Sequence, residues 1–184
     1  MLFVNASTCC AAWDVNYDGS VLPTDPSLGA NAWQLHDYYA PNDLSKTSAA
    51  DGLLHIVDEW SDRLVFFTRE GEYLAAGSSI TVEARLSVLT GYYPHTDLSP
   101  VMFGVQVGRG SNAAVYLWPD RVGARYPGVN QFLTVPVDMT EFHTIRLALD
   151  SGSYFRIWLD NELLFASATT PGSRGTGLYF TSGV

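Results

Sequence analysis

Residues 141–165, EFHTIRLALDSGSYFRIWLDNELLF, constrain the fold most because apolar and polar side chains alternate through them. In the run YFRIWL, Phe155, Ile157 and Leu159 alternate with polar or amphipathic residues, and the run TIRLAL upstream follows the same pattern. A period of two places each set on one face of a β-strand. The β-branched and aromatic residues also favour strand over helix. We therefore expect three strands, with Phe155, Ile157 and Leu159 facing the core.

Two turns separate these strands. The first is DSGS at 150–153, where Gly152 permits a tight backbone and Asp150 and Ser153 can bond nearby amides. The second is DNE at 160–162, because Asp and Asn tolerate the left-handed conformation that tight hairpins require.

The rest of the chain repeats this pattern. About ten to twelve short strands are bounded by turn residues, with no convincing helix and no repeat of 20–50 residues. Residues 13–52 are rich in Asp, Asn, Gly, Pro and Ser and are predicted to be mostly loop. The pattern predicts an all-β fold of two packed antiparallel sheets. We expect one sandwich domain at 13–184 after a flexible N-terminal segment at 1–12.

The charge of the chain excludes several partners. A net charge of −9 with only ten Lys and Arg disfavours nucleic acid and anionic membrane surfaces. No apolar run is long enough to span a membrane. Cys9 and Cys10 are neighbours, and a disulfide between adjacent residues is strained.

The runs ITVEARLSV at 80–88, FGVQV at 103–107, FHTIRLALD at 142–150 and FRIWLDNEL at 155–163 resemble the concanavalin A-like lectin/glucanase superfamily. Laminin-G-like domains of secreted and surface proteins are the most similar in pattern, although Asn161 stands where they often have Gly. The resemblance implies a jelly roll of two antiparallel sheets, one of them concave, and a secreted or surface location. It also implies a further strand after the segment GLYF at 177–180. The sequence stops at Val184, so we expect that this strand is replaced, that the chain is a fragment, or that a partner chain or domain completes an incomplete sheet edge.

Aromatic and arginine side chains on the predicted outer faces are candidate ligand contacts. Aromatic rings stack on the apolar faces of sugars, while arginines bond hydroxyl groups. Alternatively, loops cover these rings, or the rings form a second layer of core. The predicted ligand-binding residues are Tyr116, Trp118, Arg146, Tyr154, Arg156 and Trp158.

A calcium site is the candidate cofactor site. Asp14, Asn16 and Asp18 stand at positions one, three and five of a loop with Gly at six and Asp25 at twelve, which is the spacing of EF-hand-like loops. The twelfth residue is Asp instead of Glu, and prolines interrupt one flank. An ordinary turn without metal is therefore the alternative.

Catalytic residues are not evident. Glycoside hydrolysis needs two carboxylates on one strand face across the sugar bond. Asp58, Glu59 and Asp62 lie around Trp60, but the adjacent residues Asp58 and Glu59 would point to opposite faces of a strand. Glu70 and Glu72 would share a face, but they flank Gly71 in an expected turn. The four histidines do not cluster. No catalytic residue is predicted.

The sequence therefore predicts an extracellular, non-catalytic module that binds a carbohydrate or glycoprotein surface on an aromatic-lined concave sheet, or has an adhesive role. A divergent glycoside hydrolase or polysaccharide lyase domain is one alternative. A structural module of a larger surface or viral assembly is the other.

Overall fold

A computed structural model describes residues 17–37, 44–57, 65–70, 79–89, 101–107, 111–125, 132–150, 154–168 and 177–182. These residues form antiparallel strands and two short 3₁₀ helices. The predicted N-terminal segment at 1–12 lies outside the described residues. In chain order the elements are the 3₁₀ helix Pro26–Asn31, β1 Gln34–Asp37, the 3₁₀ helix Leu44–Lys46, β2 Thr47–Ala50, β3 Leu53–Ile56, β4 Val65–Glu70, β5 Ile80–Leu86, β6 Val101–Val107, β7 Ser111–Trp118, β8 Arg121–Arg125, β9 Phe132–Pro136, β10 His143–Asp150, β11 Tyr154–Leu159, β12 Glu162–Ala168 and β13 Gly177–Ser182.

The strands build two main sheets and a separate hairpin. The larger sheet has the order β1-β4-β13-β6-β7-β8-β9, and the smaller has the order β12-β11-β10-β5. Strands β2 and β3 pair only with each other in the described part of the chain. The all-β, two-sheet jelly-roll prediction is confirmed. A partner chain or domain at an incomplete sheet edge stays a prediction.

The core lies between the two main sheets. Val115 and Leu117 of β7 and Ile145 and Leu147 of β10 are fully buried in one cluster. The same cluster contains Phe155 and Ile157, with Leu159 packed at its margin. Burying each such side chain contributes about 1.5–3 kcal/mol to folding. The predicted inward face of β11 is therefore confirmed, and Tyr154, Arg156 and Trp158 lie on the opposite face.

The turn between β11 and β12 forms as its residues predict. Asp160 and Asn161 both have positive φ, at 47° and 73°. Two consecutive left-handed residues define the hairpin turn whose twist matches that of the flanking strands. Asp160 also joins this turn to β10, because its backbone N–H donates to Thr144 O at 2.9 Å.

A short segment around Met139 ties the sheets together. Met139 is fully buried in the core between the sheets. Its N–H donates to Pro119 O at 2.9 Å, and its carbonyl accepts from Val88 N–H at 2.7 Å. Since Pro119 follows β7 and Val88 follows β5, this segment connects one sheet to the other through the backbone.

Residues 13–52, which the sequence predicts to be rich in loops, also contain short regular elements. Strands β1 and β2 and both 3₁₀ helices lie in this region. Each strand has only four residues, so neither offers an alternation long enough to recognise. The segment at Gly19 packs directly against the turn between β2 and β3. A Cβ on Gly19 would lie 2.5 Å from the backbone carbonyl carbon of Gly52 in that turn, so this position has no room for a side chain.

Candidate functional site

The structure separates the six predicted ligand residues into two groups on different sheets. Tyr116 and Trp118 belong to β7 of the seven-stranded sheet, while Arg146 and the outer residues of β11 belong to the four-stranded sheet. Val115 and Leu117 point into the core from one side, as Phe155 and Ile157 do from the other. The two groups therefore lie on opposite outer faces of the sandwich and cannot contact one small ligand together.

Tyr116 and Trp118 form a second, smaller packed cluster. They are only 9% and 7% exposed. The Phe132 ring lies 4.5 Å from Tyr116 and 5.4 Å from Trp118 between centroids, and the Arg121 guanidinium lies 4.7 Å from the Trp118 ring. Rings packed in this way have little surface for stacking on a ligand, so the placement fits the second-layer alternative. A ligand-binding role for this pair stays a prediction.

The other four residues lie together on the outer face of the four-stranded sheet. Register places Trp158 opposite Arg146, and Tyr154 opposite Asp150. Arg156 stands between the two rings on β11. The outer positions of the neighbouring strands complete the surface. We call this surface the arginine–aromatic face, and it comprises Glu83, Arg85, Phe142, Arg146, Asp150, Tyr154, Arg156 and Trp158.

Carboxylates hold two of its arginines in place. Arg146 Nε donates to Glu83 Oε2 at 2.8 Å, and its Nη2 lies 2.7 Å from the same oxygen. Arg156 Nη2 lies 3.0 Å and 2.8 Å from the two oxygens of Asp150. These pairs are partly exposed, and such pairs add little to stability. Their effect is to orient guanidinium donors beside carboxylate acceptors on an accessible surface.

The rings of this face remain accessible. Tyr154 is 44% exposed and Phe142 is 42% exposed, while Trp158 is half-buried. The Arg156 guanidinium lies 5.2 Å from the Trp158 ring centroid, and that of Arg85 lies 5.0 Å from the Phe142 ring. The face therefore combines accessible aromatic surface with hydrogen-bonding groups in fixed positions.

Sequence reasoning missed several members of this face. Phe142 precedes β10 and shares the alternation of Thr144 and Arg146, so the outward period could have been extended by one step to include it. Arg85 and Glu83 lie on the outer set of β5, but their position beside Arg146 depends on the pairing of β5 with β10. That pairing joins residues about sixty positions apart, and local periodicity does not report it.

His143 and Asp160 lie beyond the end of this face and have a structural role. His143 Nδ1 is 2.6 Å from Asp160 Oδ2, and Thr144 N–H donates to the other Asp160 oxygen at 2.8 Å. The Asp160 side-chain hydrogen bond raises the pKa of His143, and the same bond lowers the pKa of Asp160. These contacts fix the start of β10 to the β11–β12 turn.

The predicted calcium loop lies only partly in the described residues. Asp14 and Asn16 lie outside them. Asp18 accepts from Ser20 N–H at 2.9 Å, and Asp25 accepts from Ser27 N–H at 2.8 Å at the start of a 3₁₀ helix. Both carboxylates thus have local turn partners. Among the described residues, no group of three or more His, Cys, Asp or Glu side chains is placed to hold a metal ion. Calcium binding stays a prediction.

Several described carboxyl groups have pKa values below the ordinary value. Hydrolysis of a glycosidic bond needs a carboxylic acid whose pKa is raised. Within the described ranges, the carboxyl pKa values that depart from the ordinary value are all lowered by side-chain hydrogen bonds, at Asp18, Asp25, Asp138 and Asp160. The rejected candidates Asp58, Glu59, Asp62 and Glu72 lie outside the described residues, while Glu70 ends β4 instead of lying in the expected turn.

No protein-family model matches the sequence, and no curated protein sequence is recognisably similar. Solved structures with the same architecture do match. The carbohydrate recognition domain of Emp46p, in its potassium-bound form, aligns with a TM-score of 0.53 and 16% identity over 90% of this chain and 89% of that chain. A prokaryotic β-1,3-1,4-glucanase (lichenase) derived from a mouse hindgut metagenome aligns with a TM-score of 0.50 and 10% identity over 82% of this chain and 80% of that chain.

These similarities define the class of fold. The chain has a concanavalin A-like jelly-roll sandwich, as the sequence runs at 80–88 and 142–163 predicted. These structural similarities do not confirm the more specific resemblance to laminin-G-like domains. In the part of the chain that the structure describes, no helix is long and apolar enough to cross a membrane.

Proposed function

We propose that this chain is a non-catalytic carbohydrate-binding module whose ligand contacts the arginine–aromatic face. The observation that carries the proposal is the accessible pair Tyr154 and Trp158 on one strand, with the fixed guanidinium of Arg156 between them. Aromatic surface beside oriented hydrogen-bonding groups fits a ligand that has both apolar and polar surface.

The chemistry of this face suits a sugar. The C–H surfaces of a pyranose ring stack on aromatic rings, and its hydroxyl groups both donate and accept hydrogen bonds. Arg146 and Arg156 supply donors, and their partners Glu83 and Asp150 supply acceptors. Because each arginine is already held by a carboxylate, little side-chain entropy is lost when a ligand binds.

The structural neighbours support a carbohydrate ligand. The Emp46p domain is a carbohydrate recognition domain, and the metagenomic protein is a β-1,3-1,4-glucanase. The proposal includes a secreted or surface location, because a module of this kind would meet its polysaccharide ligand outside the cell.

Removing both rings tests the proposal. We expect the double variant Tyr154→Ala and Trp158→Ala to lose retention in native gels containing neutral β-glucan, while its melting temperature shows that it still folds. The matched control is Leu133→Ala on β9 of the other sheet. Leu133 is similarly exposed, at 49%, and its removal should not change retention.

Three outcomes would overturn the proposal. Unchanged retention of the folded double variant would place the ligand elsewhere. Absence of retention by the unaltered chain on every polysaccharide tested, neutral or charged, would favour a structural module that contacts protein. Release of reducing sugar from a retained polysaccharide would instead establish a hydrolase.

A further inference from the structure

We propose that the arginine–aromatic face binds an internal stretch of an uncharged polysaccharide chain lying along the strands. This proposal rests on the proposed function and names the ligand class. It is carried by a third ring, Phe142, which continues the line of Tyr154 and Trp158.

The three rings follow the strand direction at equal steps. Tyr154 lies opposite Asp150 and Trp158 lies opposite Arg146, so these rings are four residues apart along β10 as well as along β11. Phe142 lies four residues further on, just before β10. Strand residues rise by about 3.3 Å, so the successive register positions are about 13 Å apart along the strands and span about 26 Å, with Phe142 displaced sideways by the width of one strand because it leads into β10. That length suits a polymer better than a single sugar.

The positions beside the line carry small side chains. Register places Ala148 on one side of Arg156 and Ala166 on the other. Thr81 of β5 lies next to Ala148 in the same row. These side chains are too short to form a wall across the line of rings. A chain can therefore lie along the rings and continue past them, whereas a pocket would bind a chain end.

The charges of this face favour an uncharged ligand. Arg146 and Arg156 are neutralised by Glu83 and Asp150 at 2.7 Å and 2.8 Å. Arg85 lies against the Phe142 ring, and Asp160 and Glu162 are exposed at that end of the sheet. The whole chain carries a net charge of −9, which repels a polyanion. Neutral sugars avoid this repulsion and still use the paired donors and acceptors.

Binding along several rings has a measurable consequence. An oligosaccharide that reaches one ring gains only that contact, whereas a longer one gains further contacts at little additional entropic cost. Affinity should therefore rise with chain length until all three rings are covered. The loss of an end ring should weaken long ligands and spare short ones.

Calorimetry with β-glucan oligosaccharides of increasing length tests this inference. We expect Phe142→Ala to lower the affinity for the longest oligosaccharides about tenfold, which corresponds to about 1.4 kcal/mol, and to leave the shortest unchanged. The conservative variant Phe142→Leu reports whether folding depends on an apolar side chain at this position. Alginate and polygalacturonate serve as the polyanionic probes and should bind more weakly than neutral glucan.

The outcomes separate this inference from the proposed function. Equal affinity for short and long oligosaccharides would show a chain-end site and overturn the inference alone. Tighter binding of the polyanions, weakened by salt and by Arg85→Gln, would also overturn it while leaving carbohydrate binding intact. Failure of all these probes to bind would overturn the proposed function as well.

Discussion

His143 Nδ1 lies 2.6 Å from Asp160 Oδ2, and His143 Nε2 lies 3.0 Å from the carbonyl oxygen of Asp138. Both partners are acceptors, and an imidazole ring can donate from both nitrogens only when it is protonated. The Asp160 hydrogen bond therefore raises the pKa of His143 above 6.5 and lowers the pKa of Asp160 below 3.8. A charged hydrogen bond thus joins β10 to the β11–β12 turn.

The pair should make stability depend on pH. The raised pKa of His143 means that its contribution is complete below pH 6.5 and is lost as the pH rises through the folded-state value. The lowered pKa of Asp160 means that its contribution is present above pH 3.8 and is lost as the pH falls through its folded-state value. We expect the difference in melting temperature between the unaltered chain and His143→Gln to be largest between these two pH values.

Melting curves from pH 4 to 9 check this expectation. The difference should shrink on the alkaline side. A difference that stays constant across that range would show that His143 acts by packing alone.

Stability should depend on which residue stands at the second position of the β11–β12 turn. Asn161 has a φ of 73°, where a β-branched residue is strained. We expect Asn161→Val to lower the free energy of unfolding by about 1–2 kcal/mol. Asn161→Gly should be nearly neutral, because Gly adopts this conformation freely. Urea denaturation of both variants provides the comparison, and equal losses would show that the Asn side chain matters more than its backbone conformation.

Gly123 should be intolerant of a side chain. A Cβ at this position would lie 2.9 Å from Trp118 Cζ3, 3.1 Å from Thr134 Cγ2 and 3.2 Å from the backbone oxygen of Leu133. We expect Gly123→Ala to lower the free energy of unfolding by about 1–3 kcal/mol, as overpacking does elsewhere. Adding Thr134→Ser removes one of these contacts and should recover part of the loss. An unchanged urea midpoint for Gly123→Ala would show that the Trp118 ring moves aside freely.

The Arg146–Glu83 pair should affect binding more than stability. Both side chains are partly exposed, at 40% and 28%, so breaking the pair should change the free energy of unfolding by at most about 1 kcal/mol. Glu83→Gln should nonetheless weaken retention on neutral β-glucan, because it removes an acceptor and frees the guanidinium beside Trp158. Urea denaturation and affinity gels on the same preparation compare the two effects. A large loss of stability with unchanged retention would assign the pair to the fold.

The sequence pattern predicted local features well. The alternation in 144–149 and 154–159 correctly separated buried residues such as Ile145 and Ile157 from outward residues such as Arg146 and Trp158. The turn at Asp160 and Asn161 was also predictable, because residue type alone favours its left-handed backbone. Both features depend on residues close together in the chain.

Features that depend on strand order were not predictable in this way. Alternation placed Tyr116 and Trp158 on outer faces but did not show that these faces belong to different sheets. It also did not show that Phe132 of β9 packs against Tyr116 and Trp118, because β8 lies between β7 and β9 in the sheet. Pairing between distant strands decided both the burial of one pair of rings and the accessibility of the other.

The position of β13 in the seven-stranded sheet has a consequence for synthesis on the ribosome. Strand β13 lies between β4 and β6, which pair with it and not with each other. The large sheet therefore stays divided, with the pair β1 and β4 apart from strands β6 to β9, until residues 177–182 emerge. Strands β10, β11 and β12 are consecutive hairpins and need no later residue to pair with one another. Most of the surface that carries the rings can thus form while the opposite sheet still lacks the strand that joins its two parts.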